Sequence, residues 1–150
     1  MLIEELNAIF NKHKNERVCV IGTICSGKTS LLKQIPNCID VDDELWSQLT
    51  KEEATFISQT PWTKEIGDEI DRLMYKKIKV KPGFHLFGTV ILDCEAVVYL
   101  DIDDELLLEH CKKRGVDFTD ALNIKKAIYE DLEYHKAKNR KVFYHLTVTE

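Results

Sequence analysis

Residues 18–29 read VCVIGTICSGKT, and this stretch decides the fold. Its first four residues are all apolar, which is typical of a strand buried on both faces of a parallel sheet. The remaining eight match the pattern G-x-x-x-x-G-K-[ST], in which a strand leads through a glycine turn into a helix. Gly22 and Gly27 permit backbone conformations that side chains would obstruct. The segment therefore predicts a loop whose N–H groups surround phosphate oxygens.

The positions in this loop suggest individual roles. We expect Lys28 to reach the β- and γ-phosphates of a nucleotide and the Thr29 hydroxyl to ligate Mg²⁺. The helix that starts near Lys28 would add the positive end of its dipole. A glycine turn with a surface lysine is the alternative, and the strand before and helix after the loop argue against it. The predicted nucleotide-binding residues of the loop are Gly22, Thr23, Ile24, Cys25, Ser26, Gly27, Lys28, Thr29 and Ser30.

The composition suits one globular domain, residues 1–150, with 44% hydrophobic and 31% charged residues. A net charge of −5 argues against broad binding to duplex nucleic acid, although a local basic pocket can still bind a nucleotide. No apolar run reaches membrane-spanning length. Glu4 and Glu5 stand where a secretory signal would be positive. The five cysteines form no C-x-x-C pair, so we expect a cytoplasmic protein with reduced thiols.

Strand and helix patterns alternate along the chain. Strands are predicted at 18–21, 38–41, 84–87, 96–100 and 142–148. Helices are predicted at about 2–14, 28–34, 43–49, from Thr50 onward, 63–79, 103–113 and 119–138. This alternation predicts a three-layer α/β domain with a mostly parallel sheet. The helix at 2–14 could cover a sheet edge or bind a partner.

Acidic residues follow the second strand. In open α/β sheets ligands bind beyond the carboxyl ends of the strands, and Asp40 and Asp42 are spaced to leave the strand on one side. One could be an outer-sphere partner of Mg²⁺, and the other, with Asp42 favoured, could orient or deprotonate an acceptor hydroxyl. The alternative is that Asp42 or Asp43 only caps the following helix.

Residues 18–29, followed about a dozen residues later by IDVDD at 39–43, resemble the small P-loop kinases. That group includes the shikimate, gluconate and nucleoside monophosphate kinases. VYLDID at 98–103, LLLE at 106–109 and KKRG at 112–115 match their fourth strand and the helix that leads into the lid. HLTV at 145–148 is similar to their last strand. The resemblance covers most of the chain except residues 1–16.

The resemblance implies a P-loop NTPase fold whose five parallel strands run in the order 2-3-1-4-5. It also implies Mg-ATP as phosphoryl donor and a small acceptor bound over the sheet, against a helical insertion at about 43–80. By motif position, Asp42 and Asp40 take the acceptor and metal roles, and Arg114 stabilises charge on the transferring phosphoryl group. The predicted lid, 115–120, is very short.

Further candidates rest on this resemblance. Arg72 could bind an acceptor phosphate or carboxylate, or could pair with Asp68 on the helix surface. Arg140 could contact the adenine side of the nucleotide, or belong to a solvated basic turn. Gly88 ends the third strand as in shikimate kinases and is a candidate acceptor contact. The aromatic candidates are Trp46 and Trp62, which could stack on a base or line a groove, and His85, which could be packed or catalytic.

The resulting expectation is a Mg-ATP-dependent phosphotransferase that acts on a small molecule. The first expected acceptor is a nucleoside monophosphate or related nucleotide. The alternative acceptor is a shikimate- or gluconate-like metabolite. A regulatory NTPase and a non-catalytic nucleotide sensor are the alternatives from other classes.

Overall fold

A five-stranded parallel sheet organises the chain. The computed structural model describes residues 2–138 and 140–150. The strands are β1 (Val18–Ile21), β2 (Cys38–Asp40), β3 (His85–Gly88), β4 (Ala96–Ile102) and β5 (Val142–Val148). They lie in the order β2-β3-β1-β4-β5, and every neighbouring pair is parallel. The expected strand order is therefore confirmed.

Helices account for most of the remaining described chain. They are α1 (Leu2–Lys12), α2 (Lys28–Leu32), α3 (Val41–Trp46), α4 (Lys51–Ile57), α5 (Lys64–Lys77), α6 (Asp104–Arg114) and α7 (Phe118–Lys138). The predicted capping box at Thr50 and Glu53 is present and starts α4. Within the described ranges, no helix combines the length and apolarity needed to cross a bilayer.

The helices cover both faces of the sheet, which gives three layers. Alternate residues of each strand point to opposite faces, so Val18 and Val20 face one core while Cys19 and Ile21 face the other. The first core is closed by α1, α2 and α6, and the second by α3, α5 and α7. Helix α1 thus packs on a face of the sheet and not along an edge.

His85 is a packing residue at the start of β3. Its ring stacks on Phe10 of α1 with centroids 3.6 Å apart and planes 4° from parallel. The side chain is buried, and burial lowers its pKa because the charged imidazolium would lose its water. This position lies at the amino end of the strand, away from the glycine turn that follows β1.

The connection from β3 to β4 is unusually short. Parallel strands are normally joined by a dozen or more residues that include a helix. Here residues 89–95 cross the second face without one, and Val90, Ile91 and Leu92 are buried there. The Tyr75 hydroxyl donates to the Ile91 carbonyl and so ties the crossing segment to α5. Helix α7 packs over the same face and contributes Ile128 and Leu132 to its core.

Two predicted helix starts are wrong. Asp40 caps α3, with its Oδ1 accepting the Asp42 N–H at 2.9 Å, so β2 ends at Asp40 and the proposed caps Asp42 and Asp43 lie inside the helix. The Asp117 carboxylate accepts the Thr119 N–H at 2.8 Å, and α7 begins at Phe118. Both helices begin earlier in the chain than expected, because the carboxylate of the capping residue accepts the N–H of the residue two positions later. Only residues 115–117 therefore separate α6 from α7.

Gly88 allows α3 to approach β3. A Cβ at this position would lie 2.8 Å from Val41 Cγ1, and Val41 is buried. Because a β-branched side chain has little rotamer freedom, we expect Gly88→Ala to lower the free energy of unfolding by about 1–3 kcal/mol. Chemical denaturation would measure this. The cost should shrink when Val41→Ala supplies the missing space, and an equal cost in both backgrounds would contradict the steric explanation.

Candidate functional site

The glycine loop, residues 22–29, leaves the carboxyl end of β1 and enters α2. Gly27 caps the helix with φ 93° and ψ 8°, and Cys25 is also left-handed with φ 65°. Left-handed residues within a turn make a concave backbone that suits anions. Gly22 is needed for space, since a Cβ there would lie 2.7 Å from Ser26 Oγ. The two motif glycines therefore serve different purposes.

Neighbouring elements hold the loop on three sides. The Gly22 N–H donates to the Gly88 carbonyl at 3.1 Å, which fixes the loop to β3. The buried Thr23 hydroxyl donates to the Ala121 carbonyl of α7 at 2.7 Å. His110 of α6 donates from Nδ1 to the Cys25 carbonyl, also at 2.7 Å. Thr23 therefore serves to fix the loop to α7, and these bonds stiffen the loop.

Lys28 turns its ammonium group back over the loop. Its Nζ donates to the carbonyls of Gly22 at 2.5 Å and Thr23 at 2.7 Å. Loss of water around the ammonium lowers the pKa of Lys28 to about 8, although the carboxylates of Asp42 and Asp40 oppose the shift. A cation that is poorly hydrated and held at the loop is suited to neutralise phosphate charge.

Asp42 stands opposite Lys28 at the start of α3. It keeps access to solvent, yet partial desolvation in its concave surroundings raises its pKa, and the negative charges of Asp40 and Asp43 add to the rise. The ammonium of Lys28 acts in the opposite direction. A carboxylate with a raised pKa is a better proton acceptor than an ordinary aspartate.

A cavity of about 400 Å³ opens beside the loop. Ile24 of the loop and Asp42 line the end nearest to Lys28. Trp46 and Trp62 form part of its wall, which confirms the groove-lining interpretation of these aromatic residues. The remaining walls come from Leu45 of α3, Ile57 of α4, helix α5, Thr89 and Val90 after β3, and α7. The cavity is large enough for a metabolite of monosaccharide or nucleoside size.

Arg114 ends α6 and is exposed. Its positive charge contributes to the lowered pKa of Lys28, so the guanidinium lies within electrostatic reach of the loop. Gly115 follows it in the left-handed conformation with φ 67° and terminates the helix. The structure therefore places Arg114 directly before the short segment 115–117, near the glycine loop.

Two predicted site residues, Arg72 and Gly88, are not among the residues that line the cavity. Arg72 pairs with Glu69, one turn away, and does not line the cavity, while its expected partner Asp68 pairs with Lys64. Gly88 provides space for α3, and the next residue, Thr89, reaches the cavity instead.

Arg140 precedes β5 and lies at the opposite end of the strands from the glycine loop. Val142 is in register with Ala96, and Ala96 with Val18, so Arg140 lies near the amino ends of the strands. The glycine loop follows Ile21 at their carboxyl ends, about 13 Å away along a strand of this length. The structure therefore does not bring Arg140 together with the glycine loop.

Thr29 and Asp40 are the residues that could hold Mg²⁺. Thr29 and Ser30 are exposed on the first turn of α2, and Asp40 is partly buried at the end of β2. Asp40 uses Oδ1 to cap α3, which leaves its other carboxylate oxygen for a second contact. Mg²⁺ commonly takes only one or two protein oxygens together with phosphates and waters. The residues present fit such a site.

The cavity contains acidic residues that the sequence motifs do not indicate. Asp71 of α5 and Asp131 of α7 both line it, and the negative charge of Asp131 helps to raise the pKa of Asp71. Asp71 was hidden within an ordinary amphipathic helix, and no local pattern pairs it with a residue so distant in the chain.

Comparisons with protein-family models and with curated proteins find no match for the chain.

Proposed function

We propose that the chain is a P-loop kinase, which moves the γ-phosphoryl group of Mg-ATP to a hydroxyl group of a small molecule. One observation supports this most directly. Lys28 lies on the glycine loop with Asp42 facing it, and Asp42 also lines the end of a cavity large enough for a metabolite. A cation suited to bind phosphate, a candidate base and a cavity for an acceptor thus lie next to one another.

The residues divide the work of the reaction. The loop backbone and Lys28 bind the donor phosphates, and Asp42 orients the acceptor hydroxyl and accepts its proton. Mg²⁺, held by Thr29 with Asp40 beyond it, would neutralise charge on the donor phosphates. Arg114 adds positive charge near the loop. Catalysis in this scheme comes from positioning and electrostatic stabilisation.

A panel assay tests the proposal. The protein is incubated with Mg-ATP and single acceptors that include nucleoside monophosphates, shikimate, gluconate and amine-bearing sugars. Release of ADP that depends on one acceptor supports a kinase. Hydrolysis at the same rate with every acceptor and without any indicates a regulatory NTPase, and ATP binding without turnover indicates a sensor. Either of the last two results would refute the kinase proposal.

ATP affinity should depend on the charge of Lys28. Because the pKa of Lys28 is lowered to about 8, the free protein loses this cation as the pH rises through 8. We expect the ATP affinity to fall by roughly tenfold per pH unit above that value, since binding then requires uptake of a proton. Calorimetric titrations between pH 7 and 9.5 would measure this. Lys28→Arg, which stays charged, should flatten the profile, and a flat profile in the unmodified protein would contradict the expectation.

A further inference from the structure

The charges around the cavity restrict the acceptor. Five carboxylates and one ammonium group line it, and they belong to Asp42, Asp68, Asp71, Glu130, Asp131 and Lys64. Lys64 is already paired, because its Nζ lies 2.8 Å from Asp68 Oδ1. Among the described lining residues, no other cation faces the cavity. An acceptor with a phosphate or carboxylate would therefore lose its water and meet mostly like charge.

Two of these acids, Asp71 and Asp131, are half-buried. Burial together with the charges of Asp131 and Asp68 raises the pKa of the Asp71 carboxyl to about 6. Asp131, on the opposite helix, lies 3.5 Å from His135 Nε2. Two carboxylates that repel each other across a cavity are both stabilised when a cation lies between them.

The aromatic wall is compatible with the same kind of ligand. Trp62 packs tightly on α5, where a Cβ at Gly67 would lie 2.4 Å from its Cζ2 atom. Its backbone N–H donates to Asp120 Oδ1 at 3.1 Å. Trp46 remains 47% exposed at the cavity mouth. Indole faces attract cations, and a ring fixed by packing loses little entropy when it binds one.

We infer that the acceptor is a hydroxyl compound that carries a protonated amine, such as an amino sugar or an aminocyclitol. The inference rests on the proposed function, because it identifies the cavity as the acceptor site. The acceptor hydroxyl oxygen forms a bond to the γ-phosphorus of ATP while the bond from that phosphorus to the β–γ bridging oxygen breaks. ADP leaves with the electron pair of that bond, and Asp42 takes the hydroxyl proton. The amine stays protonated between Asp71 and Asp131.

Intrinsic fluorescence can report on the cavity directly. The chain has two tryptophans, and both line the cavity. We would titrate the protein with two matched pairs, 2-deoxystreptamine against myo-inositol and glucosamine against glucose. At least one amine should bind ten or more times more tightly than its neutral counterpart. Asp71→Asn should remove most of this preference. Asp93→Asn is the matched control, because Asp93 is exposed and pairs with Arg17 away from the cavity.

The outcomes separate the inference from the proposed function. Equal binding within both pairs, or no fluorescence change with either amine, would overturn the cationic acceptor. The kinase proposal would then be judged by calorimetric ATP binding and by ADP release with neutral or anionic acceptors. Amine binding without any binding of ATP would instead overturn the kinase proposal and leave the cavity's preference for cations standing. Amine-dependent ADP release supports both.

Discussion

Replacing Lys28 with alanine should reduce phosphoryl transfer at least about 100-fold, which is the usual cost of removing one charge-stabilising group from an active site. The ammonium of Lys28 is the cation that the structure places on the glycine loop itself. Without it, the donor phosphates lose their closest positive partner in both the ground state and the transition state. ATP affinity measured by calorimetry and ADP release with the best acceptor should therefore both fall.

Lys33→Ala is the matched control for this experiment. Lys33 follows α2 directly and is exposed, so its removal changes the net charge equally without touching the loop. Circular dichroism and thermal unfolding should show that both variants keep the fold. Turnover of Lys28→Ala close to that of Lys33→Ala would rule out the role assigned to Lys28.

Asp42→Asn should lower kcat by about 10²–10⁴-fold, the range expected when a general base is removed. ATP affinity should change much less, because the asparagine keeps the shape of the side chain and the loop remains intact. In the unmodified protein the base form must be present, so the rate rises with pH through the pKa of Asp42. Because that pKa is raised by desolvation and by Asp40, the rise should occur at higher pH than for an ordinary aspartate.

Asp43→Asn separates this effect from a general change in charge. Asp43 is the next residue on α3, is exposed, and does not line the cavity. Its amide variant should keep kcat within about twofold of the parent, as surface substitutions usually have small effects. If the two asparagine variants had the same kcat and the same pH profile, Asp42 could not be the base.

Features that depend on nearby residues could be predicted from the sequence. The apolar run of β1, the glycine spacing and the capping box at Thr50 each use contacts within a few positions. Strand order followed from the resemblance, which extends across most of the chain. The exact helix starts were missed because Asp40 and Asp117 are each followed, two or three residues later, by other side chains that can also cap a helix, and the sequence alone does not select among them.

Features that depend on packing between distant elements could not be predicted. Arg140 is close to the last strand in sequence, but the parallel register puts it near the amino ends of the strands, opposite the glycine loop. Arg72 has two acids within reach on its helix, and only side-chain packing selects Glu69. The acidic cavity requires α5 and α7 to face each other, which becomes possible because no helix connects β3 to β4.

Helix α7 belongs to both halves of the proposed site. Near its start the Ala121 carbonyl receives the Thr23 hydroxyl of the glycine loop, and farther along Asp131 lines the cavity. A helix rises about 1.5 Å per residue, so a single stiff rod of about 15 Å joins these two points. Two ligands that order opposite ends of one rod share the entropic cost of fixing it. Nucleotide and acceptor are therefore expected to bind cooperatively, each strengthening the other by the same factor.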